Sequence, residues 1–493
     1  MTLDTLVARG EQLNHELGRE WYLTGAGHKP EADFQAIYDR HLILQDEEAL
    51  AVVRGANEPA LLEWIVDLRV GRRVAPYAEQ QLAWEQQAVV TVGDRTVPFL
   101  RAGIEIQNAA DRAWRTALDH AATAVGAAGL NGLRRDRLAA EREVVSAAVG
   151  NDDYVAAVAH LSGMDLERLA EQAEALLGET ADLYGDALAR LTRRRIGVPL
   201  DALVRADSGW AFRADDYDAA FPSDRLVEIA VRQMGEMGLD ATEAGRVHVD
   251  TEERPGKQPR AFCVPVRVPD EVYLVLRPSG GHSDYRTFWH ELGHAMHFAA
   301  VDPDRAFHER WLGDNSVTEA FAMLWDHLTL DAGWLGRHTA MGQGGSAAAG
   351  QIADLQFELA VAELYLLRRY AAKLAYEIAL HRSDYREEIA DEYAERLTAA
   401  TGFRYPRELY LRDVDPGFYS ARYLRAWQLE AALARALVEQ FDIDWFRNPR
   451  AGAFVRELMR RGQADPADRV AAEIGVDPLS FDAAVERLTP LLA

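Results

Sequence analysis

The chain has 493 residues, 48% hydrophobic and 27% charged, the balance of a folded protein long enough to bury a large core. Its 54 basic and 79 acidic side chains leave a formal net charge of −25, which excludes a protein built to track nucleic-acid phosphates or to cling to an anionic membrane. Cys263 is the only cysteine, so an intrachain disulfide framework is excluded too.

The first residues, Met1-Thr2-Leu3-Asp4-Thr5-Leu6, lack the basic start and apolar run of a secretory signal. No apolar stretch reaches the ~18–20 residues of a membrane span, so the expectation is a cytoplasmic protein. Up to about Arg195 apolar residues recur three and four apart, as at 49–53, 61–68 and 166–177, a pattern that predicts helix. Arg193-Arg194-Arg195 closes this region before Gly197 and Pro199, where cations suit a helix C-terminus. Residues 1–200 are expected to form an N-terminal helical subdomain and 201–493 a catalytic helical subdomain.

After a connecting region the period changes. Residues 261–268 and 272–276 are rich in Val, Phe, Tyr and Leu around Pro269-Asp270, and predict a small antiparallel sheet. Pro265 cannot donate to a ladder, which places its strand at an edge or a bulge. Such an edge has two readings: a platform to which an extended peptide adds as one more strand, or an edge blunted against aggregation.

Next comes Phe288-Trp289-His290-Glu291-Leu292-Gly293-His294-Ala295-Met296-His297, on a helix expected over 283–300. Residues four apart share a helix face, so the imidazoles of His290 and His294 can meet at one metal ion with Glu291 beside them. This HExxH pattern supplies two neutral nitrogen ligands and an adjacent carboxylate base, the arrangement of zinc peptidases. Gly293 costs about 1 kcal/mol relative to alanine in a helix, so its presence predicts a close neighbouring segment. His297 lies ~10.5 Å of helical rise from His290, too far to share the ion easily.

Beyond a break at Asp302-Pro303-Asp304 a second helix is expected over 316–330. The Gly, Ala and Ser of 333–350 predict a mobile loop, and long helices are expected at 351–381 and 385–399. Residues 401–420 are irregular and aromatic, and helix resumes at 421–440 and in the tail.

Catalytic zinc normally takes three protein ligands, and the nearby carboxylates are Glu309, Asp314 and Glu319. Asp314 suits a helix N-cap. Glu319 opens the second helix, which can hold a ligand rigidly, but Ser316 with Glu319 also spells a capping box.

The run from Gly281 to His297 resembles the active-site helix of the thimet oligopeptidase (M3) family of zinc peptidases. Arg254-Pro255-Gly256-Lys257 leading into Ala261-Phe262-Cys263 is similar to that family's approach to its substrate-binding edge strand. The angiotensin-converting enzyme and carboxypeptidase Taq families share a similar helical architecture. The resemblance implies Glu319 as third ligand, one zinc ion per chain, and an elongated helical zincin with a deep cleft between two helical subdomains. It also implies oligopeptidase activity on short peptides; from the acidic charge no nucleic-acid or membrane partner is expected, and the expectation for assembly is a monomer, with an oligomer left open.

In the related families a tyrosine after the third ligand donates to the oxyanion. Arg422-Tyr423 and Phe418-Tyr419 resemble those positions, Tyr423 more closely. The family's histidine before these tyrosines is missing, since none follows His381, and Tyr405 or Tyr410 are its replacements. Two alternatives remain: a carboxypeptidase or hydrolase of a non-peptide amide on the same zinc site, or a non-catalytic metal-containing binding protein. For the carboxypeptidase, Arg404, Arg407, Arg412 and Arg422 could grip a free C-terminus.

Overall fold

In the computed structural model, which describes residues 1–343 and 346–493, the apolar spacing read from the sequence closes into helices. Over Leu166–Glu179 it buries Leu166, Leu169, Ala173 and Leu176 on one face, and the Asp165 side chain caps the start by accepting from Arg168 N–H. The chain is mainly α-helical. It divides into two compact units built from alternating segments: Met1–Ile65, Ala214–Gln356 and Arg425–Arg487 form the first, and Val66–Arg213, Phe357–Leu424 and Leu488–Ala493 the second.

Within the second unit the unbroken helical pattern expected up to Arg195 is interrupted. Strands β1 (Val89–Val92) and β2 (Arg95–Pro98) pair antiparallel across a two-residue turn at Gly93-Asp94, with Gly93 at φ 61°. Val90 and Val97 are buried in a cluster with Leu118 and Ala122 of a long helix, Arg112–Val149.

The first unit holds a sheet of β3 (Val247–Asp250), β4 (Phe262–Arg267) and β5 (Glu271–Val275) in the order β3-β5-β4. The expected antiparallel pair is β4 with β5. The third strand adds to it: β3 runs parallel to β5, pairing Val247 with Val272, so the sheet is mixed. Pro265 sits on edge strand β4 next to a bulge between Pro265 and Arg267, where its missing N–H costs no ladder bond. Helix α1 (Leu3–Gly25) lies along the strand, from Val266 to Phe262. A Cβ on its Gly18 would stand 3.0 Å from the Pro265 carbonyl oxygen and 3.1 Å from Val266 Cα, so only glycine allows this approach.

The loop expected over 333–350 is largely helical. Asp331 accepts from Trp334 N–H at 2.8 Å and caps a helix, Ala332–His338, which buries Trp334 completely. A 3-10 turn, Ala340–Gln343, follows, and a long helix, Ser346–Arg382, starts soon after; Gly344 and Gly345 of the predicted loop lie outside the described residues. No helix among the described residues is long and apolar enough to cross a membrane.

Candidate metal centre

Helix α2 (His282–Ala300) carries the HExxH residues. Its entry is fixed by two carboxylates: Asp284 accepts from the Ser279 and Gly280 N–H groups at 2.9 Å, and Asp218 accepts from His282 N–H at 3.0 Å. Phe288, Trp289, Leu292, Ala295 and Met296 are buried, while His290, Glu291 and His294 are half-buried. Helix α3 (Asn315–Asp326) crosses α2 at Gly293, the close neighbour that this glycine predicts. Asp314 is the N-cap of α3, accepting from Ser316 N–H at 2.9 Å, and the Glu319 carboxylate faces the histidines instead of closing a capping box.

One ligand atom from each of His290, His294 and Glu319 lies within 4.8 Å of the others. Glu319 Oε2 is 3.4 Å from His290 Nε2 and 3.7 Å from His294 Nε2. Each imidazole is oriented from behind: His290 Nδ1 is 2.9 Å from Asp326 Oδ2, and His294 Nδ1 is 2.9 Å from Thr318 Oγ1. With Nδ1 engaged on both rings, Nε2 is the atom each presents to the centre, the second-layer device that sets tautomer and ring angle in metal sites. Arg286 Nε lies 3.3 Å from Asp326 Oδ1 and holds this carboxylate in turn.

The electrostatics fit a cation. Burial works against a charged His290, yet hydrogen bonds to Asp326 and Glu319 push its pKa up to about 10. Those carboxylates therefore demand positive charge at the ring, which a metal ion at Nε2 supplies in place of the proton. His294 is pushed down to about 4 by burial, only partly offset by Glu319, and so stays neutral as a ligand must be. Two nitrogens and one carboxylate could hold a metal as a three-ligand set, the number usual for catalytic zinc.

Glu291 is not engaged with the other three. Its Oε2 accepts from the backbone N–H of Cys263 on β4 at 2.8 Å, which ties the carboxylate to the sheet edge. Burial raises its pKa to about 7, against the charge of His290 and the Cys263 N–H. His297 is fully buried, 3.2 Å from the Gly462 carbonyl oxygen, and belongs to the packing.

Tyr419 and Tyr423 lie in the first turns of a helix, Tyr419–Phe441, and belong to the second unit. Their rings are 5.3 Å apart, and Tyr370 packs edge-on to Tyr423 at 5.4 Å. Tyr405 and Tyr410 are buried in the same unit: the Tyr405 hydroxyl lies 3.0 Å from that of Tyr365, and Arg135 Nη2 donates to the Tyr410 hydroxyl at 2.8 Å.

Sequence reasoning missed Asp326, Thr318 and the Cys263 amide. A signal existed for Asp326, which is seven residues, two helical turns, beyond Glu319 and so on the same face. Replacing it with asparagine removes the anion behind His290 at nearly constant volume. Metal affinity is expected to fall roughly tenfold or more, read by competition with a chelator.

A helical protein presenting two histidines and a glutamate from adjacent helices to one point, with a second glutamate beside them, has the layout of a metal-dependent peptidase. The sequence profile of peptidase family M3 matches residues 230–489, and the chain belongs to that family. No curated protein sequence matches it. Among solved structures it is similar to the crystal structure of a "putative peptidase" from Chlamydophila abortus, at 13% identity and a TM-score of 0.66, over 99% of this chain and 89% of that one.

Proposed function

We propose that the chain is a cytoplasmic zinc oligopeptidase that hydrolyses short peptides, with zinc held by His290, His294 and Glu319 and Glu291 as general base. The observation that carries this reading is the convergence of the two Nε2 atoms and the Glu319 carboxylate, with both Nδ1 atoms engaged elsewhere. Zinc there supplies Lewis acidity, bringing the pKa of a bound water from 15.7 to about 7. Glu291 takes a proton from the attacking water and returns it to the departing amine nitrogen as the C–N bond breaks. The family resemblance gives the role of oxyanion donor to Tyr423 or Tyr419.

The edge of β4 suits an extended substrate. Cys263 spends its N–H on Glu291 and Pro265 has none, so a peptide added there is held mainly through its own N–H groups donating to strand carbonyls. Helix α1 runs along β4, with Gly18 against Pro265 and Val266 and Gly25 against the Phe262 ring, so the stretch at Cys263, beside the base, lies between these two contacts.

Metal analysis of the purified protein, combined with mass-spectrometric cleavage of a mixed peptide library, tests the proposal. The expected result is about one zinc per chain and internal cleavage of short peptides that stops on chelation and returns with zinc. Stepwise loss of C-terminal residues points instead to a carboxypeptidase, and bound metal without any cleavage to a binding protein.

A further inference from the structure

The second unit contains arginines that peptide hydrolysis does not use. Arg134, on the helix Arg112–Val149, is only 8% exposed, and its one hydrogen bond among the described residues goes from Nη1 to the neutral Asn131 Oδ1 at 3.0 Å. It lines a cavity of about 230 Å³ together with Arg137, Arg412, Gln81 and Glu85. None of these three arginines forms an ion pair among the described residues. Glu85, the one carboxylate on the wall, accepts from Gln81 Nε2 at 2.9 Å. Arginines of the adjoining cavity, about 260 Å³ and also lined by Arg412, are paired: Arg205 with Asp119, and Arg369 with Asp413 at 2.5 Å.

A buried guanidinium without a counter-charge is costly, and proteins keep one where a ligand supplies the charge. Burial and the nearby Arg412 push Arg134 down to about 10, so it remains protonated at neutral pH. On the cavity wall the three guanidinium groups face the single carboxylate of Glu85, with Asp119 and Asp413 also acting on the exposed Arg412, so buried Arg134 is the one left with Glu85 alone. Planar guanidinium forks match tetrahedral oxyanions in bidentate geometry. We propose that the cavity bounded by Arg134, Arg137 and Arg412 binds a phosphoryl dianion, either free phosphate or the phosphate of a monoester.

Calorimetry and thermal unfolding of the full chain test this with inorganic phosphate, glycerol 1-phosphate, acetate and chloride at matched ionic strength. Phosphate is expected to bind and to raise the unfolding temperature, with acetate and chloride inert. Arg137→Gln, outside the peptidase machinery, should weaken phosphate roughly tenfold or more. The monoester arm identifies the source: binding as tight as phosphate means an esterified ligand fits, and binding of phosphate alone means the free ion. Arg134→Gln should lose phosphate yet raise the ligand-free unfolding temperature, because it removes a buried unpaired charge. Equal responses to phosphate and acetate, or variants that bind phosphate like the parent, overturn the proposal. So does an Arg134→Gln protein that is less stable and binds phosphate unchanged.

Discussion

Glu291→Gln is expected to lower kcat for peptide cleavage by about 10²–10⁴-fold while the metal content stays at the parent level. The separation follows from the geometry. The donors that could hold a metal are His290, His294 and Glu319, whereas Glu291 is bonded to the Cys263 amide on β4, so in the proposed mechanism the substitution removes the base and leaves the ligand set intact. Glutamine keeps an oxygen to accept from that amide, which protects the local packing. Its amide cannot take a proton from water.

The pH profile carries a second signature. Burial lifts the Glu291 carboxyl to about 7, and only the ionised form is a base, so the rate falls as pH drops through its pKa. A cation at the neighbouring imidazoles lowers that pKa, as does any positive charge nearby. The acid limb of kcat/KM is therefore expected below about 7 in the metal-loaded protein, and the Gln variant's residual rate should lack it. A variant with parental turnover removes Glu291 from the mechanism.

The parts of the site that could be read in advance were those encoded locally. Four-residue spacing put His290 and His294 on one face, Gly293 announced a close neighbour, and Pro265 announced an edge. Asp314 also took its cap role, which frees Glu319 for the centre. What escaped were short or non-local features. Strands of four residues, such as Val89–Val92 and Val247–Asp250, are too brief to establish an alternating pattern against strongly helical flanks.

The compact units pose a different problem. Their boundaries at Ile65, Gln356 and Leu424 fall inside the continuous helices Pro59–Gln87, Ser346–Arg382 and Tyr419–Phe441, so no linker composition marks them. Composition alone suggests a loop from 333 onward, whereas the Asp331 cap and the buried Trp334 hold Ala332–His338 as helix. Local signals report single elements, and the partners behind the ligands become visible only once α2 and α3 cross.

That crossing is where the other large effect is expected: Gly293→Ala should destabilise the protein by about 2–3 kcal/mol and weaken metal binding with it. Helix propensity alone predicts the opposite sign, since alanine is better than glycine by about 1 kcal/mol. Contact geometry decides. An added Cβ lies 2.5 Å from Ala322 Cα, 2.7 Å from Trp325 Cδ1 and 2.9 Å from the Phe321 carbonyl oxygen. Two of these are backbone atoms of α3, and Trp325 is fully buried, so no flexible side chain can swing aside. The helix itself has to move, and α3 carries Thr318, Glu319 and Asp326, one proposed ligand and the partners of both imidazoles. Stability and metal affinity are thus tied to one contact, and the same displacement should lower both. Urea unfolding and chelator competition on the variant measure the two; an alanine protein as stable as the parent, with its metal affinity intact, contradicts the close approach of α2 and α3.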